Sequence, residues 1–427
     1  MKSSCNSNFL RLVSYTKQLT SHVNQGNHQQ ALSLFHHIHS ALALPLDPYV
    51  FPLTLKSCSS LHRPFLGTSI HAHLAKSSLL SNPFVASALV DFYGKCVSLH
   101  SARQLFDEIP HRNDVVWNVM ISLYAHFNRV SMALRLFESM DVVPNISTFN
   151  SIINGLSRLE DGSYMALGFY RRMQSFGLTP NFITALAVLS ACAGIGALKL
   201  IKEIHGYCIR NDIDPNPQLR SCLVEAYGRC GSVSHAHCIF YSMIDRERDT
   251  VAWSSLISAY ALHGEARKAL EIFHEMEDAK VKPDGITLLG VLKACSHAGL
   301  ADEAKGYIAR MQEGYGVEVT SDHYSCLVDV LSRSGRLYEA YDVLTKMPVK
   351  ASAKAWGALL GACRTYGEVE LAEVAGRALF EIEPNNAANY VLLARIYAAA
   401  GRYDEANKLR CELKERRVKI APGSSWV

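Results

Sequence analysis

The chain has 427 residues, 49% of them hydrophobic and 19% charged, with a formal net charge of +4 and 18 histidines besides. A basic balance this mild fits an anionic partner without demanding one, and the length alone would suggest two or three ordinary domains. The 12 cysteines are scattered with no CxxC pair, and the N-terminus does not read as a secretory signal peptide, which argues against a disulfide framework and for reduced thiols in a non-secretory compartment.

Lys2, Arg11 and Lys17 are the early charges, serines are frequent, and the first acidic residue is Asp47. Such a lack of acids resembles an organellar transit peptide, so residues 1–11 are expected to be a targeting segment, with mitochondrion favoured over chloroplast. A first helical hairpin starts near Leu12 and leaves little chain to cleave. Hairpins then run approximately over 12–47, 48–82, 83–113, 114–145, 146–181, 182–216, 217–249, 250–284, 285–320 and 321–352. Two more degenerate ones follow at 353–386 and 387–420.

The clearest unit is 250–284. Trp253, Leu256, Ile257 and Tyr260 recur at i, i+3, i+4 and i+7, which puts them on one face of a first helix. His263-Gly264 breaks that helix, and Glu265 opens a second with an acid at its positive end. Ala269, Phe273 and Met276 form the matching stripe, and the stretch from Lys280 to Asp284, with Pro283, stops it. Neither helix is long enough to be stable alone, so the hairpin must bury its apolar faces on neighbours.

Those neighbours are copies. The spacing of Gly264 and Ala269 recurs as Gly26/Ala31, Gly231/Ala236, Gly299/Ala304, Gly335/Ala340, Gly367/Ala372 and Gly401/Ala406. Glycine ends the first helix without a Cβ penalty, and alanine lets the two helices approach. Periods of about 31–36 residues repeated this often predict an all-α fold, an α-solenoid of helix–turn–helix repeats. The units 48–82, without the turn glycine, and 146–181, with Glu160 in its place, fit the pattern least well.

Longer units with an "LKSC", "LSAC" or "LKAC" core alternate with shorter ones reading "YGKC", "YGRC" or "LSRS". With the "VWN" and "AWS" openings, these units resemble pentatricopeptide repeats, and their alternation resembles the plant PLS subclass. "CSHAGLADEA" at 295–304, "HYSCLVDVLSRSGRLYEA" at 323–340 and "AWGALLGACRTYGEVELAE" at 355–373 resemble the end of such an array and the start of its E-type extension. "NYVLLARIYAAAGRYDEANKLR" at 389–410 and "PGSSWV" at 422–427 resemble the rest. The resemblance covers nearly the whole chain. It implies a right-handed superhelix, with an array at 12–352 and an E-type extension at 353–427.

The resemblance also implies that each unit reads one RNA base with its fifth and last residues. Carried onto this chain, the pairs are Thr16 with Asp47, Ser87 with Asn113, Asn118 with Asn145, Asn150 with Asn181, Ser221 with Asp249, and Ser254 with Asp284. Ser325 with Ser352 fits no family pairing. A hydroxyl with a carboxylate suits the donor pair of guanine, a hydroxyl with an amide suits adenine, and two amides favour pyrimidines. Pro52, Leu186 and Leu289 offer no polar group at the fifth position and should discriminate little. Read from the 5′ end the expected register is G, any, A, C or U, pyrimidine, any, G, G. Apolar residues at the second position, Phe84, Val115 and Val251, would sandwich the bases. Each pair also has a plainer reading, since Ser, Thr and Asn near helix starts are often caps and Asp after Pro is often a turn residue.

Catalysis is not expected. Zinc deaminases need HxE followed by PCxxC, and the one such triplet, His263-Gly264-Glu265, is a repeat turn. The charge-free run from Phe182 to Leu198 approaches membrane-span length but lies in repeat register, so no membrane is expected. His71 and His73, two apart on a helix, have poor geometry for one metal and read as solvated; no metal or cofactor is expected. Asn145-Ile146-Ser147 matches a glycosylation signal at a repeat junction. The resemblance implies a single-stranded RNA adaptor for organellar C-to-U editing whose extension, 353–420, recruits a deaminase-bearing (DYW-type) relative in trans. Stabilising, splicing or translating a transcript is the second reading. A protein-binding scaffold, with no salt-dependent RNA affinity, is the third.

Overall fold

The structure, a computed structural model, describes residues 2–41, 47–77, 79–213 and 215–415, and the side chains of these except 2–12, 40–41 and 414–415. The described residues form α-helices joined by short turns, with no strand. The helices pair in chain order. The first hairpins are α1 (Lys2–Asn24) with α2 (His28–Ala41), α3 (Val50–Ser60) with α4 (Pro64–Lys76), and α5 (Pro83–Cys96) with α6 (Leu99–Glu108). Next come α7 (Asp114–His126) with α8 (Val130–Glu138), α9 (Ile146–Ser157) with α10 (Ser163–Ser175), and α11 (Phe182–Ile195) with α12 (Leu198–Arg210). Then α13 (Pro217–Arg229) precedes α14 (Val233–Ser242), α15 (Thr250–Leu262) precedes α16 (Ala266–Asp278), and α17 (Gly285–Ala298) precedes α18 (Ala301–Glu313). The last three hairpins are α19 (Ser321–Arg333) with α20 (Leu337–Lys346), α21 (Ala353–Tyr366) with α22 (Val369–Ile382), and α23 (Ala387–Ala399) with α24 (Tyr403–Glu415). The fold is an all-α solenoid of helix–turn–helix repeats.

The targeting segment expected at 1–11 enters α1 from Lys2, and its side chains lie outside the described residues, as does the terminal "PGSSWV". The chain divides into two compact units, Met1–Ile195 and Gly196–Val427. Within the first, α3 packs on α5, α5 on α7, α7 on α9 and α9 on α11; within the second, α13 packs on α15, α15 on α17, α17 on α19 and α19 on α21. First helices therefore stack on first helices, so that equivalent residues of successive repeats form columns.

The turn chemistry follows the local sequence. Gly264 takes φ +78°, a left-handed conformation that costs glycine nothing. Where the sequence lacks that glycine, His62 and Asn128 adopt it at φ +47° and +57°, a small local strain. The 146–181 unit solves the problem differently, with a longer turn, 158–162, that seats Gly162 against the Leu156 carbonyl; a Cβ there would lie 2.1 Å from that oxygen. The alanines predicted to allow close approach, Ala31, Ala236, Ala269, Ala304, Ala340 and Ala372, have no solvent exposure. Fully buried aromatics fill the layer between helices: Phe92, Phe106 and Phe149 in the first unit, and Tyr227, Phe240 and Phe273 in the second. Each contributes about 1.5–3 kcal/mol of burial free energy.

Candidate nucleic-acid interface

The last residue of a hairpin sits where it does for a local reason: it N-caps the first helix of the next repeat. Asn113 Oδ1 accepts the Val116 N–H at 3.1 Å, Asn145 Oδ1 those of Ser147 and Thr148 at 3.0 and 3.2 Å, and Asn181 Oδ1 that of Thr184 at 3.0 Å. Asp249 Oδ1 accepts from Ala252 at 2.8 Å, and Asp284 Oδ1 from the Thr287 N–H at 2.8 Å and its hydroxyl at 2.7 Å. A backbone N–H must be met by an oxygen, so capping commits one oxygen of each side chain and leaves the second polar atom. In asparagine that atom is a donor, Nδ2; in aspartate it is an acceptor, Oδ2.

The fifth residues lie on the preceding first helix, buried: Ser87, Asn118, Asn150, Ser221, Ser254 and Ser325. The serine hydroxyls donate back into their own helix, Ser87 to Phe84 O and Ser254 to Val251 O at 3.0 Å each, Ser221 to Pro217 O at 3.0 Å and Ser325 to Ser321 O at 2.7 Å. Their oxygen lone pairs remain as acceptors.

Four predicted pairs are in direct contact. Asn118 Nδ2 donates to Asn145 Oδ1 at 3.1 Å and Asn150 Nδ2 to Asn181 Oδ1 at 3.1 Å; the single proton of the Ser221 hydroxyl is shared between Pro217 O and Asp249 Oδ1, the latter at 3.3 Å, and the hydroxyls of Ser325 and Ser352 lie 2.9 Å apart. Ser87 and Asn113, and Ser254 and Asp284, are not hydrogen-bonded to each other, because each member is satisfied by its own helix. Asp47 holds the Tyr49 N–H at 3.0 Å, and the Thr16 carbonyl accepts the Thr20 hydroxyl at 2.8 Å. The plainer reading of these residues as caps is thus a fact of the structure. It is compatible with the base-facing one, since capping uses only half of each side chain.

The two amide pairs differ in one respect. A threonine hydroxyl donates to the inner amide oxygen of both, Thr148 to Asn118 at 2.6 Å and Thr184 to Asn150 at 2.7 Å. In the first pair, however, Asn145 Nδ2 also donates to Asp114 Oδ2 at 2.8 Å, which closes the network. The 146–181 unit has Ile146 where the other has Asp114, and Asn150 and Asn181 line an open cavity of about 260 Å³ with Ser151, Asn154, His126 and Arg158.

The predicted second-position residues stand out of the surface: Phe84 and Val251 are each 53% exposed and Val115 is exposed too. Tyr49 and Ile183 in the first unit and Ile286 in the second hold the same position of their hairpins and are exposed as well, Ile286 at 65%, and the Tyr49 and Phe84 rings lie 5.9 Å apart. Two further features escaped prediction. Arg112 donates to Phe106 O at 2.8 Å and lies over the Phe106 ring, and Arg248 does the same with Phe240 at 3.2 Å. Each arginine pins the loop immediately before a cap residue, Asn113 or Asp249. The thirteenth position is often basic in each unit: Lys95, His126 and Arg158 in the first, Arg229, His297 and Arg333 in the second. The signal for it lay in the repeat register.

The decoys fall into structural roles. His263 Nε2 bonds the Gly228 carbonyl at 2.7 Å and Glu265 pairs with Lys268, so the HxE triplet is committed to its turn. His71, expected to be solvated, is half-buried and bonded to the Tyr93 hydroxyl at 2.8 Å, and burial lowers its pKa despite the nearby Glu108. Burial pushes the Cys222 and Cys295 thiols up to about 12, which keeps them protonated. Among the described residues no group of three metal-ligating side chains converges, and no helix is long and apolar enough to cross a membrane.

The chain matches the model of the E motif over residues 366–427, of the PPR repeat family over 112–158 and 248–297, and of the PPR repeat over 147–178, 221–247, 286–314 and 322–350. It is 62% identical to the putative pentatricopeptide repeat-containing protein At1g03510 of Arabidopsis thaliana, over 100% of this chain and 99% of that protein. It is 36% identical to the chloroplastic pentatricopeptide repeat-containing protein CRR2 of the same plant, over 94% of this chain and 57% of that one. To the putative mitochondrial pentatricopeptide repeat-containing protein At3g13770 the figures are 33%, 84% and 68%. Among solved structures it is similar to the pentatricopeptide repeat protein PPR10 in complex with an 18-nt psaJ RNA element, with a TM-score of 0.67 at 19% identity, over 97% of this chain and 62% of that one.

Proposed function

The chain belongs to the pentatricopeptide repeat family, in its E-motif-bearing branch, and we propose that it binds single-stranded RNA with one base against each fifth-residue and last-residue pair. As a member of a family of RNA-binding repeat proteins it is not an enzyme. The observation that carries the reading is the polarity left over after capping. Asp249 and Asp284 offer an acceptor beside a serine lone pair, which complements the N1–H and N2–H donors of guanine. Asn113 offers a donor beside the Ser87 lone pair, which complements the N1 acceptor and N6–H donor of adenine. Asn150 with Asn181, beside an open cavity, suits a pyrimidine, and the exposed apolar column supplies stacking surface. The register is G, any, A, C or U, pyrimidine, any, G, G.

The E motif supports a role in organellar C-to-U editing, in which 353–420 recruits a deaminase-bearing partner in trans. Tyr366, Val374 and Tyr403, exposed on this extension, are apolar surface for such a partner. Relatives named as chloroplastic and as mitochondrial support an organellar address. The test is a selection: RNA retained by the purified chain from a random pool is sequenced. Enrichment of that register is expected. Retention without a motif, or no retention, would overturn the base-reading function.

A further inference from the structure

The ninth residue of each hairpin stands one turn beyond the fifth, on the same face of the same first helix. In 83–113, 217–249 and 321–352 it is acidic, and it holds the basic thirteenth residue of its own helix: Asp91 with Lys95 at 2.9 Å, Glu225 with Arg229 at 3.4 Å, Asp329 with Arg333 at 3.0 Å. Each of those bases thus has an acidic partner four residues away. In 48–82 and 285–320 the pattern inverts. The fifth residue is apolar, Pro52 or Leu289, and the ninth is an exposed lysine, Lys56 or Lys293, that forms no ion pair among the described residues. The acids at the ninth position of the following hairpins, Asp91 and Asp329, pair with Lys95 and Arg333.

We propose that Lys56 and Lys293 are backbone anchors: in two of the three hairpins whose fifth residue is apolar, a lysine one turn from the reading position holds a phosphate of the RNA. The inference rests on the RNA-binding reading above and adds to it a division of labour. Hairpins with a polar fifth residue select, and these two fix the register of the strand without selecting. A lysine suits that task, since its compact charge and long stem make contact with a phosphate whatever base is attached. An acid at the ninth position would repel the strand, and the structure keeps its acids there only where a base four residues on cancels them. The third hairpin with an apolar fifth residue, 182–216, has Ser190 at this place and no such anchor.

The test uses the full chain, its Lys56→Ala, Lys293→Ala and doubly substituted variants, and a Lys202→Ala control on a second helix. The probes are a short synthetic RNA carrying G, any, A, C, U, any, G, G, any, and the same RNA with adenine at both 3′ guanines. Affinity is measured against potassium chloride concentration. For a single strand each phosphate contact contributes about 0.7 to the slope of log K against log salt, so each single variant should flatten the slope by about 0.7 and the double by about 1.4, the control leaving it unchanged. The guanine-to-adenine preference should be the same in all five proteins. A slope equal to that of the unsubstituted chain, or a flattening as large in Lys202→Ala, overturns the anchors while leaving base reading intact. A fall in the guanine preference would make the lysines part of base selection and also overturn the proposal. Failure of the unsubstituted chain to bind either RNA overturns the underlying reading itself, and is told apart by that fact.

Discussion

Asp284→Asn isolates one atom. Asp284 Oδ1 accepts both the N–H and the hydroxyl of Thr287, and the asparagine oxygen takes over that cap, since Asn and Asp cap equally well. The helix that follows should keep its stability, and the melting temperature should stay where it is. What changes is the other atom, Oδ2, which becomes an Nδ2 donor. Facing guanine, a donor now meets the N1–H and N2–H donors; facing adenine, it meets the N1 acceptor. Base-reading side chains contribute about 1–3 kcal/mol, so at 1.4 kcal/mol per decade the affinity for guanine at this base should fall roughly 5- to 150-fold, with a gain for adenine. Fluorescence anisotropy with two RNAs that differ at that single base measures it. Asp284→Ala is the companion: it removes the cap as well and should cost about 0.5–2 kcal/mol of stability. If Asp284→Asn binds both RNAs as the unsubstituted chain does, while Asp284→Ala melts lower, the residue is a cap alone and the polarity reasoning fails.

Asp114→Ala should release Asn145 Nδ2 from its 2.8 Å bond and open the closed amide pair. Affinity for RNA with a pyrimidine at that base should rise by about 1 kcal/mol, the value of one hydrogen bond no longer to be broken; unchanged titrations would show the network to be no obstacle. Gly228→Ala exchanges a residue unfavourable by about 1 kcal/mol in a helix for a Cβ 2.5 Å from that of Ala259. Overpacking costs about 1–3 kcal/mol, so the variant should melt lower despite its better propensity, and a higher melting temperature would refute the close approach. His71 has its pKa lowered from 6.5 by burial, so the folded state binds fewer protons than the unfolded one. Its contribution is present above pH 6.5 and is lost as pH falls from there through the lower folded value; His71→Gln should flatten that part of a denaturant-midpoint-against-pH curve, and an identical curve would place the acid sensitivity elsewhere.

The hairpins, their turns and the close-packed alanines were legible because they are local. A glycine at φ +78° and an alanine five residues later fall within one stretch of chain, and their repetition makes the pattern unmistakable. Turns without glycine were the soft spots, since His62 and Asn128 bear the left-handed backbone with no residue type to announce it. The reading positions came from family resemblance, and the chemistry that orients them did not. Asp114 meets Asn145 across 31 residues, and Arg112 and Arg248 reach carbonyls of the preceding second helix. Such contacts have no period of their own to read. The paired and unpaired charges at the ninth and thirteenth positions were visible in the sequence only once the repeats were set in register.

Capping also explains why so few residue types stand at the end of a hairpin. Asp47, Asn82, Asn113, Asn145, Asn181, Asn216, Asp249, Asp284, Thr320, Ser352 and Asn386 close the successive hairpins, and every one is of a type that caps helices well. Most of them accept a backbone N–H of the next first helix in the structure, Asn82, Asn216 and Asn386 included. Stability therefore restricts the position to Ser, Thr, Asn and Asp before any RNA is considered. Within that set the choice of Asn or Asp leaves the helix unchanged and inverts the polarity of the one remaining atom. A site built this way changes the base it prefers without disturbing its own fold, whereas any substitution outside the set would damage both together.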